Sequence, residues 1–290
     1  MIIKIFINLI VIVLALIFPF SISQASELPD FLLKNLKVKE NKKENGILGT
    51  AIAIEGAFKI KPGQKKPISA TYRLEFFKDD KPIKASATTS LYKGKTGSVV
   101  CLIKRTFTIT PGYCFLPHYA LDVGVGKSEL KVKLSIQAAP KKITDDLKVI
   151  KVLNNKEIQF KVNQKAFRSF QLTVHGVRVA KKTKNGDEWD AFWQLKPDPM
   201  ACVEMKTKQL TDRLFCTPVV KNSYEAAWLS GTGQLWVIKD DPITLSIYDR
   251  DTQFDDLIGQ ISLKINEWHE QAHKIKEMSL VKFIQISFGD

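Results

Sequence analysis

The chain has 290 residues, 44% apolar and 10% aromatic, and 44 Lys+Arg against 30 Asp+Glu give a formal charge of +14. That much apolar side chain builds real cores and excludes a mostly disordered chain, while 15 Gly and 12 Pro exclude collagen-like and low-complexity classes. A polytopic membrane protein is excluded too, because one apolar run alone is long enough to matter.

That run is Ile5 to Phe20, behind Met1-Ile-Ile-Lys4 and ahead of Ser21-Ile-Ser-Gln-Ala25. A short basic lead, an apolar stretch and a small-x-Ala end compose a secretory signal peptide over residues 1–25, with an uncleaved anchor as the competing reading. No Cys stands near Ala25, which speaks against a lipoprotein. The expected location is therefore periplasmic or secreted, peripheral to a membrane. Residues 26–45 are polar and Lys-rich and read as a basic, flexible lead-in.

From 46 to 140 the pattern is strand-like. Tyr72, Leu74 and Phe76 alternate with polar residues, as do Val132, Leu134 and Ile136. Period-two alternation with a polar opposite face indicates antiparallel sheet. Lys61-Pro-Gly63, Lys78 to Pro82, Lys93-Gly-Lys95 and Thr110-Pro-Gly112 punctuate the runs as turns. The region reads as a small β-sandwich of no assigned family. Residues 141–167 read as a linker with room for a strand or two. Strand signals return from Phe170 to Ile286, interrupted by a helix-forming stretch at Asn266–Met278. The expected fold class is thus all-β, with two antiparallel sandwiches, the second carrying one short helix before its last strand.

Four cysteines fall as two close pairs, Cys101 with Cys114 and Cys202 with Cys216. In an oxidising compartment an even count in local pairs reads as disulfides. Of the three possible connectivities, the two local ones are expected, each stapling a hairpin. Without any C-x-x-C, zinc is a poor alternative.

Charge divides the chain. Residues 26–166 hold 27 Lys+Arg against 13 Asp+Glu, and residues 167–290 hold 16 against 17. The basic half is drawn to anionic surfaces, with a solvated Lys-rich face as the plain alternative. No aromatic-interleaved basic motif or recognition helix stands out, so no specific nucleic-acid partner is expected. No nucleophile elbow, P-loop, His-Glu-x-x-His or dinucleotide fingerprint appears, and the chain is not expected to be an enzyme.

In the near-neutral half the acids cluster: Asp187, Glu188, Asp190, Asp198, then Asp249, Asp251, Asp255 and Asp256. Carboxylates converging from separate loops repel unless water separates them or a hard cation such as calcium neutralises them. The order of motifs adds to this. Phe170 to Val174, Asp190, Asp198-Pro-Met200, Thr217 to Lys221 with Trp228, Ile247-Tyr-Asp-Arg-Asp251 and Asp256-Leu-Ile-Gly259 follow one another as in the C2 family, so residues 168–290 resemble a C2 domain. The resemblance implies an eight-stranded sandwich binding Ca2+ in loops at one end. It implies Asp190, Asp198, Asp249, Asp251 and Asp256 as ligands, with Asp187 as substitute in the first loop. The pattern departs from the family at Met200, where Tyr is common, and at Glu225-Ala-Ala227, where Asn-Pro is usual.

Apolar groups crowd the same loops. Phe192, Trp193 and Leu195 lie between Asp190 and Asp198, and Phe254 lies between Asp251 and Asp256. Exposed aromatics favour a lipid interface, with folding back over the sandwich as the alternative. The resulting expectation is calcium-dependent attachment to an anionic phospholipid membrane, with Lys206 and Lys208 adding basic lipid contacts. The rival is a protein-interaction or structural module of the envelope, contacting an envelope or host protein, with or without calcium.

Overall fold

The computed structural model describes residues 28–106, 112–139, 146–155, 157–187, 189, 196–208, 210–238, 240–250, 255–264 and 273–289. The first domain contains β1 (Asp30–Glu44), β2 (Ile47–Lys59), β3 (Ser69–Lys78), β4 (Lys81–Pro82), β5 (Lys84–Ala85), β6 (Val100–Thr106), β7 (Gly112–Pro117), β8 (Leu121–Asp122), β9 (Gly126–Ala139), β10 (Lys148–Ile150), β11 (Val152–Leu153) and β12 (Ile158–Gln164). The second contains β13 (Phe167–Val179), β14 (Pro199–Lys206), β15 (Thr211–Cys216), β16 (Glu225–Ala227), β17 (Thr232–Ile238), β18 (Ile243–Arg250), β19 (Asp255–Leu263), β20 (His273–Met278) and β21 (Val281–Gly289). The protein is nearly all β, built of antiparallel sheets packed as sandwiches.

Period two drives this. Along β3, Ala70, Tyr72, Leu74 and Phe76 are buried while their neighbours are half-exposed. Phe31 meets its cross-strand partner Phe58 edge-on at 5.2 Å and, across the sandwich, Tyr72 edge-on at 5.6 Å. Residues 26–45, expected as a flexible lead-in, instead supply β1, which pairs with β2 from Asp30↔Lys59 to Glu44↔Ile47. Phe31, Leu33 and Leu36 fall inward on this strand. Its Lys and Glu residues fall mostly outward, which hid a buried stripe inside a polar composition. Within 141–167 the structure places β10 and β12 on β9, and β11 parallel to β1. The helix expected at 266–278 also changes. Residues 265–272 lie outside the described residues, while 273–278 form β20, paired with β21 through a turn in which Ser279 has φ 57.

In the second domain the sheets order as β17-β13-β21-β20 and β15-β14-β18-β19. The first domain orders as β7-β2-β1-β11 and β6-β3-β9-β12. Matching β2 to β13, β3 to β14, β6 to β15, β7 to β17, β9 to β18 and β12 to β19 preserves these neighbours except at the edge strands β11 and β20, the former parallel and the latter antiparallel to its partner. Strand β1 then occupies the place of β21. The first sandwich therefore repeats the arrangement of the second, with its last strand moved to the front.

Both disulfides form as paired in the sequence reading. Cys202 and Cys216 face one another across the β14–β15 hairpin. The other bond does not staple a hairpin: Cys101 lies on β6 and Cys114 on β7, strands of opposite sheets, so it ties the two layers of the first sandwich together.

The two domains meet end to end across residues 165–166. Asp212, fully buried, accepts hydrogen bonds from Thr89 Oγ1 (2.5 Å), Ser90 Oγ (2.9 Å) and Ser90 N–H (3.2 Å). Asp241 Oδ1 accepts from Leu48 N–H at 3.2 Å, and Glu44 Oε2 accepts from Lys208 N–H at 3.4 Å. Gly46, with φ +87, abuts Pro242, where an added Cβ would sit 2.9 Å from Cγ. One apolar cluster runs through both sandwiches. The ends used here are the C-terminal ends of β1, β14 and β17 and the N-terminal ends of β2, β15 and β18.

Candidate cation site at the outer rim of the second sandwich

Strands β14 and β18 run antiparallel, so the start of one meets the end of the other. Pro199 pairs with Asp249, and Asp249 pairs with Asp256 on β19. Leu245, Ile247 and Asp249 alternate onto one side of β18, and the first two lie in the core, which leads the Asp249 carboxylate to the mouth between the sheets. Asp249 is buried, Asp198 half-buried and Asp256 exposed. Widely separated segments thus place three carboxylates at one rim.

Backbone hydrogen bonds hold them. Asp249 Oδ1 accepts Asp198 N–H at 2.6 Å, and Asp198 Oδ1 accepts Asn222 N–H at 2.6 Å. Arg250 N–H donates to the Asp198 carbonyl at 3.0 Å, and Asn222 Oδ1 accepts Lys196 N–H at 2.7 Å. The first loop, the 217–224 segment and the third loop are laced at their bases before any ligand arrives. Asn222 takes φ 54, a conformation Asn tolerates. Its place after Lys221 in a polar turn was the only sequence signal for it.

Below the third loop, Arg250 Nη1 and Arg213 Nη1 both pair with Asp255, the latter at 3.0 Å. Burial opposes ionisation of Asp255, but the two guanidinium hydrogen bonds prevail and hold its carboxyl below the usual range. Arg213 also reaches fully buried Glu204 at 3.1 Å. Glu204 further accepts from Ser246 Oγ (2.7 Å) and the Tyr248 hydroxyl (2.9 Å) and pairs with Lys206 (3.0 Å). Pattern reading missed this network because Glu204 sits on the outer face of its sheet, where a charge looks solvated.

The described residues settle the position of only part of the expected site. Asp198, Asp249 and Asp256 come together. Asp190, Asp251, Phe192, Trp193, Leu195 and Phe254 lie outside the described residues. Asp187 is exposed in a turn closed by Thr183 N–H to its carbonyl at 2.9 Å. Lys206 and Lys208 are not at this rim. Lys206 ends β14, about 23 Å along the strand from Pro199, and is held by Ser246 and Gln260. Lys208 N–H faces Glu44 of the first domain at 3.4 Å. The hairpin carrying both turns toward the domain junction, a direction that sequence spacing does not encode.

Among the described residues no three His, Cys, Asp or Glu side chains gather closely enough to hold a metal by themselves. The donors present do fit a hard cation in kind: carboxylate oxygens from neighbouring strand ends, with the local arginines directed to Asp255 instead. Asp190 and Asp251 are the residues that would complete the set. Trp189 closes the base of the first loop by donating Nε1–H to the Ala180 carbonyl at 2.9 Å. Trp228 is buried and donates to the Pro218 carbonyl at 2.7 Å.

Residues 170–280 match the model of the C2 domain family. No curated protein matches the sequence. Among solved structures, "Structure of a C2 domain" is similar over 42% of this chain and 98% of its own, at 18% identity and TM-score 0.33. A structure of the two tandem C2 domains of extended synaptotagmin 2 is similar over 80% of this chain and 95% of its own, at 9% identity and TM-score 0.27.

Proposed function

We propose, taking as premise that the C-terminal half of this chain is a C2 domain, that the protein attaches to anionic phospholipid surfaces in response to Ca2+, outside the cytoplasm. The observation that carries this reading is the meeting of Asp198, Asp249 and Asp256 at one rim, laced by Asp249 Oδ1 to Asp198 N–H. With Asp190 and Asp251 these carboxylates would hold the cation, and the bound charge would supply a bridge to lipid phosphate. Phe192, Trp193, Leu195 and Phe254 would enter the interface once local negative charge is quenched. Two disulfides fit a non-reducing compartment, as export requires.

Co-sedimentation with phosphatidylserine vesicles tests the reading. Binding is expected to rise with Ca2+ and to return to its chelator level in Asp249→Asn. A Ca2+ titration followed by tryptophan emission reads the metal step separately. If Ca2+ changes the emission but never the vesicle binding, the domain is a calcium-stabilised interaction module instead. Identical behaviour in Ca2+ and chelator by both readouts refutes the metal role.

A further inference from the structure

The end of the first sandwich that corresponds to the aspartate rim carries lysines. By the strand matching above, the loops after β2 and after β9 stand where the second domain has its first and third loops. Pairing fixes which residues share this end: Asp30 with Lys59, Phe31 with Val152, Ser69 with Ala139, and Lys148 with Ala138. Exposed Lys59, Lys61, Lys65 and Lys66 flank one crossing between the sheets, and exposed Lys148 and Lys151 flank another. Among the described residues, exposed Asp146 and half-buried Asp30 are the acids set with them.

Apolar side chains stand out between these lysines. Val149 is 74% exposed, Ile60 47% and Leu147 45%. Large apolar groups set among cations and left in water match an anionic lipid interface, where the aliphatic chains enter and the ammonium groups meet phosphate. Leu28 and Pro29 lead into β1 at this same end, so the apolar run at residues 5–20 is joined to the chain here.

We infer that this basic, apolar end of the first domain is a second, calcium-independent docking surface for anionic phospholipid. It deepens the membrane reading above, and it faces the other way. The domains meet through their opposite ends, so the lysine end and the aspartate rim are the two far poles of the molecule. Each lysine at an anionic surface contributes about a fivefold factor in partitioning. A chain engaging both poles holds two surfaces apart by the length of two sandwiches.

The chain from residue 26 onward, which keeps every described residue, is mixed in chelator with phosphatidylcholine vesicles with or without phosphatidylserine. Binding is expected only to the anionic vesicles and is expected to weaken with salt. Lys59→Gln/Lys61→Gln/Lys65→Gln/Lys66→Gln is expected to lose about 600-fold in partitioning, four fivefold factors. The charge-matched Lys81→Gln/Lys84→Gln/Lys93→Gln/Lys127→Gln, away from this end, is expected to lose far less. Equal loss in the two variants, or equal wild-type binding to both vesicle types, overturns the proposal. Asp249→Asn separates the two readings: chelator binding that survives while no Ca2+ increment exists in any variant sinks the calcium reading and leaves this one standing. With both poles binding, Ca2+ is expected to cluster anionic vesicles and raise turbidity, and binding at both poles without turbidity overturns the opposed arrangement.

Discussion

Asp241 and His118 sit at the domain junction and respond to pH in opposite directions, which makes Asp241→Asn an informative perturbation. Burial pushes the Asp241 carboxyl up from 3.8 to about 6, against the Leu48 N–H bond that favours the anion. Oδ2 has no hydrogen-bond partner among the described residues. Burial likewise pushes the His118 imidazole down from 6.5 to about 4, where Nε2 meets Thr50 Oγ1 and Nδ1 is unpartnered among the described residues. A raised carboxyl gives stability that is complete below pH 3.8 and is lost as pH rises through about 6. A depressed imidazole gives stability that is present above pH 6.5 and is lost as pH falls through about 4. Each shift of roughly two units corresponds to about 3 kcal/mol. Between pH 7 and 4 the two terms nearly cancel in the wild type.

Asp241→Asn keeps the acceptor for Leu48 and removes the buried charge. It is expected to stabilise the protein by about 1–2 kcal/mol at pH 7 after allowing for an unpaired amide N–H, and to destabilise it by about 1–2 kcal/mol at pH 4, where only that unpaired N–H is left. It also exposes the His118 limb, so the variant loses about 3 kcal/mol on acidification where the wild type stays flat. Urea unfolding at pH 7, 5.5 and 4 measures this. A ΔΔG that is the same at every pH, or destabilisation at pH 7, refutes the burial argument.

Other outcomes follow from the same contacts. Cys202→Ser/Cys216→Ser opens a hairpin loop whose closure is worth about 3 kcal/mol, so its urea midpoint should fall without loss of the β signal in circular dichroism. Glu204→Ala strands Arg213 and Lys206 beside Tyr248 and should cost about 3–5 kcal/mol in thermal or urea unfolding, whereas a neutral result would mean the pair is solvated. Asp255→Asn removes a carboxyl held low by Arg250 and Arg213. Its contribution is present above pH 4 and lost on further acidification, so wild type and variant should converge in stability at the most acid pH tested.

Period-two alternation in Tyr72-Leu74-Phe76 and the ordered motifs from Phe170 to Gly259 determined the two sandwiches and the resemblance of the second to the C2 family, because burial of alternate side chains is written directly in the chain. Spacing also determined which cysteines pair. Other features depended on partners far apart in sequence. Whether Lys-rich 30–44 is coil or strand rested on β2 lying beside it. Whether Cys114 ties a hairpin or two sheets rested on which layer takes β7. That Asp198 and Asp249 meet is a consequence of antiparallel register, while Lys206, a few residues along the same strand, is carried to the opposite end. Likewise the lysines of 59–66 and 148–151 become one surface only when the sandwich closes, and they face away from the aspartates because the domains join through the ends that neither uses.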